Sequence, residues 1–207
     1  MAFISKKDRD RISEAIVAAE RQTSGEIVAV LSAESASYFH VPFLWASLIA
    51  LIVPWPLIYF TWWPVQWIYL VQLAVFFLIL AITMPRPVRY RLVPAKIKRE
   101  RAHRRAVEQF LVQNLHTTAG RTGVLIYVSV AERYAEIIAD SGIQSKVPKE
   151  TWQDIIDDLT AHIGAGEAGE GFVHAVERSG ELLAKHFPPG SRDPDELPNH
   201  LIIIDKF

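Results

Sequence analysis

The most prominent feature of the hydrophobic pattern is a long stretch without charge. Residues 41–85 contain no Asp, Glu, Lys, Arg or His. The stretch divides into two apolar runs, 43–60 and 65–84, which are joined by TWWP at 61–64. An α-helix rises about 1.5 Å per residue and needs about twenty residues to cross the hydrocarbon core of a bilayer. The pattern therefore predicts a transmembrane hairpin over 43–84.

The basic residues that follow this hairpin predict its orientation. Nine Lys or Arg and one acid, Glu100, lie between residues 86 and 105. Lys and Arg next to a span end stay in the cytoplasm, whereas a short tip without charge crosses easily. We therefore expect a multi-pass protein of the inner (cytoplasmic) membrane with both termini cytoplasmic. The bilayer is then one partner, and we expect no nucleic acid, because few aromatic residues interleave with the basic run.

The flanking segments alternate between helical and strand patterns. Ser5 and Asp8 form a capping-box pattern before a helix that runs to about residue 22, and a β-branched strand follows at 26–31. A long basic helix is predicted over 94–115, strands over 123–130 and 133–139, and two helices with apolar positions between 152 and 187. A last strand is predicted at 200–204.

The two central strands are expected to form a hairpin. A turn at 131–132 pairs Val124 with Ala139 and Leu125 with Ile138. The strand at 26–31 needs partners, and these lie beyond the membrane segment. The predicted organisation is therefore a first helix and strand over 1–34, the hairpin over 43–84, and the remainder of one α/β domain over 86–207.

Three segments resemble the strand motifs of the TPM-domain family. They are SGEIVAV at 24–30, RTGVLIYVS at 121–129 and EIIADSGI at 136–143. The chain is most similar to the bacterial membrane-protein subgroup in which a transmembrane hairpin follows the first strand. The resemblance implies a Rossmann-like α/β sandwich of the TPM type, and it connects the chain with acid phosphatase activity and with binding of a divalent cation such as calcium.

The candidate site comes from the hairpin register. Gly123 falls opposite Asp140, so Arg121, Thr122, Asp140 and Ser141 converge where a strand ends, and strand ends are the usual ligand positions in open α/β sheets. Asp140 is the candidate metal ligand or nucleophile, Arg121 the candidate phosphate-binding group, and Ser141 the third candidate. An Arg–Asp pair that closes a hairpin end explains the same residues structurally, and this interpretation is favoured. Glu132 lies at the opposite end of the hairpin, outside this site.

The other chemical signals are few. The chain has no cysteine, which excludes disulfides and Cys-ligated metal centres, and its seven histidines are interpreted as scattered and not at ligand spacing. The sequence GAGEAG at 164–169 matches a dinucleotide-binding pattern, but it follows a helix, so we interpret it as a linker.

Two function classes therefore remain open. The preferred one is a non-enzymatic module that assists the assembly, maintenance or modulation of other membrane proteins. The alternative is a cation-dependent phosphatase or phosphoester hydrolase at the membrane surface. No definite cofactor follows from the residues.

Overall fold

A computed structural model describes residues 4–118, 120–189, 197 and 199–204. The chain divides into two compact units. The larger unit comprises Met1–Ser35 and Glu100–Phe207, and the smaller unit comprises Ala36–Arg99. The larger unit is thus assembled from two segments that are distant in the sequence.

The larger unit is a mixed α/β domain. Before the smaller unit it contains α1 (Lys6–Glu20) and β1 (Glu26–Ser32). After it come α6 (Ala95–Val112, which begins in the smaller unit), a 3₁₀ turn (Leu115–Thr117), β2 (Gly123–Ser129), β3 (Tyr134–Ala139), α7 (Ser141–Gln144), α8 (Lys149–Ala165), α9 (Ala168–His186) and β4 (Ile202–Ile204).

Among the described residues, one sheet of four strands has the order β3-β2-β1-β4. Strand β1 is parallel to both of its neighbours, β2 and β4, whereas β3 is antiparallel to β2. The predicted pairing of β2 with β3 is confirmed, including Val124 opposite Ala139 and Leu125 opposite Ile138. The expectation that the first strand has its partners beyond the long apolar segment is also confirmed, because β1 pairs with β2 and β4.

Helices cover both faces of this sheet. On one face Ile27, Ala29 and Leu31 of β1 pack with apolar residues of α1, α8 and α9. On the other face Val28 and Val30 pack with residues of α6 that include Ala106 and Phe110. Burial on both faces is the reason that β1 and β2 consist of nearly continuous apolar runs.

The first helix begins as its sequence predicts. The Ser5 hydroxyl accepts a hydrogen bond from the Asp8 backbone N–H at 3.1 Å, and the Asp8 carboxylate accepts from the Ser5 N–H at 3.4 Å. This reciprocal pair satisfies N–H groups that have no partner inside the helix.

The smaller unit is built from apolar helices: α2 (His40–Ile52), α3 (Pro54–Phe60), α4 (Val65–Thr83) and the short α5 (Arg86–Leu92). Helices α2 and α3 are separated only at Val53, directly before Pro54. Together they form one apolar segment, His40–Phe60, and α4 forms a second; both are long and apolar enough to cross a membrane. In the most apolar 18 residues of each segment, only 17% of the residues are buried in His40–Phe60 and only 6% in Val65–Thr83.

One residue of the basic run has a structural role that its sequence position does not indicate. Arg89 is only 3% exposed, and its guanidinium carbon lies 4.2 Å from the centroid of the Phe39 ring. A guanidinium over an aromatic face is attracted by the ring quadrupole. Arg89 therefore packs within the smaller unit.

The split construction predicts the effect of a charge in β1. Replacing the fully buried Val28 with Asp should unfold the larger unit, because an unpaired buried charge costs several kcal/mol against a stability of about 5–15 kcal/mol. The measurement is the rate of limited proteolysis within residues 100–186. The matched control is Val112→Asp in α6, where the side chain is 65% exposed and the same change should cost about 1 kcal/mol or less. Wild-type protease resistance in Val28→Asp would contradict the split construction.

Candidate functional site

The sequence-predicted site lies at the end of β3. The Asp140 backbone N–H donates to the carbonyl of Gly123 at 2.9 Å, as the hairpin register requires. Because β3 is antiparallel to β2, this end of β3 coincides with the amino ends of β1 and β2. This end is therefore not the carboxyl edge of the parallel strands, where ligands in open α/β sheets usually bind. The role of these residues as a site stays a prediction.

Asp140 is engaged in local structure. Its Oδ1 accepts hydrogen bonds from the Ser141 backbone N–H at 2.6 Å and from the Ser141 hydroxyl at 3.2 Å. Its Oδ2 lies 3.9 Å from Nη1 of Arg121, which is 58% exposed. Asp140 thus caps α7, and its second oxygen faces the solvent-exposed guanidinium of Arg121.

The other predicted member of the site points elsewhere. The Thr122 hydroxyl donates to the carbonyl of Ser24 at 2.8 Å, so it ties β2 to the start of β1. The structure therefore brings Arg121, Asp140 and Ser141 together and leaves Thr122 out. One acceptor remains available, because the buried Oδ2 of Asp140 has no hydrogen-bond donor among the described residues.

The backbone at this edge is packed too closely to admit a ligand beside Gly142. A Cβ at Gly142 would lie 2.6 Å from the carbonyl oxygens of both Gly120 and Arg121. The Gly142 N–H donates to the latter carbonyl at 3.1 Å. Glycine is required at position 142 because the backbone of residues 120–121 approaches it so closely. This contact joins two backbone segments and leaves no room for a ligand between them.

A second polar group, which we call the carboxyl-edge cluster, lies at the opposite edge of the sheet. It consists of Ser35, Tyr127, Ser129 and Glu132, whose side chains are at most 6% exposed. The residues come from the loop after β1, from β2 and from the turn before β3. This edge is where open α/β sheets bind ligands.

Hydrogen bonds in the carboxyl-edge cluster run in one direction. The Ser129 hydroxyl donates to Oε2 of Glu132, and the Ser35 hydroxyl donates to the Ser129 hydroxyl at 2.7 Å. Each hydroxyl has a single proton, so the Tyr127 hydroxyl, 2.8 Å from that of Ser35, must be the donor of the remaining bond. The chain of donors thus ends on the carboxylate, which also accepts from the Ser35 N–H at 3.0 Å.

The cluster has one acceptor with no partner. Oε1 of Glu132 is buried and accepts no hydrogen bond from the described residues. Burial raises the pKa of Tyr127, and the nearby Glu132 charge acts in the same direction, so this phenol stays protonated and able to donate. A cavity of about 460 Å³, lined in part by Ser129, Arg133 and Thr160, adjoins this edge.

The sequence placed Glu132 correctly at the opposite end of the hairpin from Asp140, but it did not connect Glu132 with Ser35. The sequence feature that could have indicated this cluster is the serine at the end of each of the two strands, Ser32 in β1 and Ser129 in β2. The connection depends on the pairing of β1 with β2, which brings together residues separated by 97 positions in the chain.

Two of the seven histidines, which are scattered in the sequence, are neighbours in the structure. His162 of α8 and His174 of α9 lie together with Asp158, with one potential ligand atom of each residue within 4.8 Å of the others. The sequence feature that could have indicated this group is a carboxylate and a histidine four residues apart on each helix, Asp158 and His162 on α8 and Glu170 and His174 on α9. Whether the two pairs meet depends on how the helices pack.

The architecture defines a mixed α/β domain with helices on both sheet faces, and comparison with known proteins is consistent with it. A family model described as "TPM domain" matches residues 92–182, a little under half of the chain. The NMR structure of BA42 protein from the psychrophilic bacterium Bizionia argentinensis sp. nov. superposes with a TM-score of 0.61 at 22% identity, over 97% of this chain and 95% of that one. At this identity the likeness concerns the fold alone. No curated protein matches the chain.

A capping role for Asp140 predicts a specific order of stabilities. Asp140→Ala should lower the free energy of unfolding by about 1 kcal/mol, whereas Asp140→Asn should cost only a few tenths, because Asn caps about as well as Asp. Arg121→Ala should cost less than Asp140→Ala, since the guanidinium is largely solvated. Thermal unfolding of the three variants checks this order. An Arg121→Ala loss equal to that of Asp140→Ala would assign the stabilisation to the ion pair.

Proposed function

We propose that this protein is held in the inner membrane by a helical hairpin and that its TPM-like domain is a cytoplasmic, non-enzymatic module. On this proposal it assists the assembly, maintenance or modulation of other membrane proteins. The observation that carries the proposal is the exposure of the apolar helices of the smaller unit. Leu51, Phe60 and Phe77 are 63%, 86% and 57% exposed within the described structure.

Exposed apolar side chains on this scale are unfavourable in water. Removing one large aliphatic or aromatic side chain from water is favourable by about 1.5–3 kcal/mol. Soluble monomers rarely expose contiguous apolar patches larger than a few hundred Å². A bilayer supplies the missing apolar environment. Two helices return the chain to its starting side, and the basic residues after the second span favour the cytoplasm.

The polar contacts of the domain favour a non-enzymatic role. Asp140 and Ser141, the sequence-predicted catalytic candidates, bond to each other and cap a short helix at the amino edge of the sheet. The carboxyl-edge cluster joins the loop after β1 to the turn before β3, which is a structural task. A membrane-tethered domain with a stable surface then acts by binding other membrane proteins.

The alternative is a cation-dependent phosphoester hydrolase, and one observation favours it. The buried Oε1 of Glu132 is a free carboxylate oxygen at the carboxyl edge of the sheet, and hard cations such as Ca²⁺ or Mg²⁺ bind carboxylate oxygen. The phosphatase label of the matching family model points the same way. On this alternative the catalytic centre lies at Glu132 and not at Asp140.

The topology can be tested with single cysteines, because the chain has no native thiol. A membrane-impermeant maleimide added to intact spheroplasts should label Thr61→Cys at the hairpin tip and should not label Ser141→Cys. Both variants should react after detergent lysis, which is the control for thiol accessibility. Labelling of Ser141→Cys in intact spheroplasts would refute the cytoplasmic placement of the domain.

The catalytic alternative can be tested on the detergent-purified full chain with p-nitrophenyl phosphate and millimolar Mg²⁺ or Ca²⁺. The proposal predicts no hydrolysis above that of the Glu132→Gln variant. Hydrolysis that requires the cation and falls at least tenfold in Glu132→Gln would establish the alternative. The matched carboxylate variant is Asp140→Asn, whose loss of activity would place the chemistry at the amino edge.

A further inference from the structure

Helices α8 and α9 form a hairpin in which two short spacings converge. Asp158 and His162 are four residues apart on α8, and Glu170 and His174 are four residues apart on α9. Residues at i and i+4 lie on the same helix face. Because α8 and α9 pack against each other, carboxylates and imidazoles from both helices meet.

The distances among these groups are close to those of a coordination sphere. Nδ1 of His162 lies 3.7 Å from Oδ1 of Asp158, and Nδ1 of His174 lies 3.7 Å from Oδ2 of the same carboxylate. Ligand atoms at 2.0–2.2 Å from a tetrahedral Zn²⁺ are about 3.4 Å apart. One potential ligand atom of each of the three residues lies within 4.8 Å of the others, so side-chain rotations that move these atoms up to about 1.4 Å closer together reach that geometry.

The two imidazoles are held near each other by more than one contact. Their ring centroids are 4.9 Å apart at an interplanar angle of 78°. The His162 Nδ1 is also 3.0 Å from the Asp158 backbone carbonyl oxygen, so this ring nitrogen faces Asp158. A shared dication can be bound by one nitrogen lone pair from each ring.

A further carboxylate is placed to orient one ring. Oε1 of Glu170 lies 3.6 Å from Nε2 of His174, on the side of the ring away from the Nδ1 that faces Asp158. The other oxygen of Glu170 accepts a hydrogen bond from Nη2 of Arg11 at 2.7 Å, and this bond raises the pKa of Arg11. Metal-ligating histidines commonly donate their second ring N–H to such a carboxylate.

We propose that Asp158, His162 and His174 bind a Zn²⁺ ion between α8 and α9, with Glu170 as a positioning residue for His174. Two imidazoles and one carboxylate favour zinc over Ca²⁺ or Mg²⁺, which prefer all-oxygen ligands. The three side chains are 22–41% exposed, so the ion can enter from solvent. Three protein ligands leave at least one coordination position for water. This site is independent of the carboxyl-edge cluster and of the proposed module function.

The direct test is calorimetric titration of ZnCl₂ into the full chain, purified in detergent with a histidine-free tag and stripped with EDTA. We expect one equivalent of Zn²⁺ to bind to wild type, with affinity at least tenfold lower in His174→Ala and in Asp158→Asn. The matched control is His186→Ala, a histidine at the end of the same helix α9, which should bind as wild type does. Equal affinity in wild type and His174→Ala, or no binding to wild type, would overturn the proposal.

Two further measurements separate coordination from nonspecific binding and from misfolding. Co²⁺ bound to wild type should show the intense visible bands of a tetrahedral ion; a spectrum like that of the aqueous ion would contradict the site. Zn²⁺ should raise the melting temperature of wild type and of His186→Ala, but not that of His174→Gln, which keeps a polar side chain of similar length. Glu170→Gln should bind Zn²⁺ about 10–100-fold more weakly, as expected for the loss of an orienting carboxylate.

Discussion

Strand β1 imposes the main constraint on the larger unit, because it has strand partners on both edges and helices on both faces. Its partners β2 and β4 both come from the chain beyond the smaller unit. Every residue of β1 is buried, so its N–H and C=O groups need partners within the protein; most are in the two ladders, and the Ile27 N–H donates to Oε1 of Glu20 at 2.8 Å. The 90 residues that separate β1 from β2 must therefore return the chain to the sheet.

The same topology places the two groups of polar side chains at opposite edges of the sheet. Antiparallel pairing of β2 with β3 sends Asp140 to the amino edge, where its contacts are those of a helix cap and a loop closure. Parallel pairing of β1 with β2 brings Ser35 to Glu132 at the carboxyl edge. The buried Glu132 carboxylate at that edge accepts hydrogen bonds from two donors, the Ser129 hydroxyl and the Ser35 N–H, so it is costly to remove, and its second oxygen is available to one additional ligand.

The α8–α9 hairpin shows how helix packing creates chemistry from weak sequence signals. Carboxylate and histidine pairs at i and i+4 are common on solvated helix faces, where they indicate nothing beyond local ion pairing. Here the Gly166 cap, in the left-handed region with φ of 85°, ends α8 and allows α9 to turn back against it. Two ordinary helix faces thereby become one cluster of ligand-type atoms.

The sequence alone determined the elements whose signals are local: the capping box of α1, the β2–β3 register and the two apolar helices. Period-two patterning fixes which side chains share a sheet face, and this holds whatever the strand order. The strand order itself, the direction of β3 relative to β1 and the meeting of Asp158 with His174 were decided by tertiary structure. They depend on contacts between residues distant in the sequence, so no local spacing specifies them. For the same reason the sequence located Asp140 correctly in its turn but left open the edge of the sheet at which that turn lies.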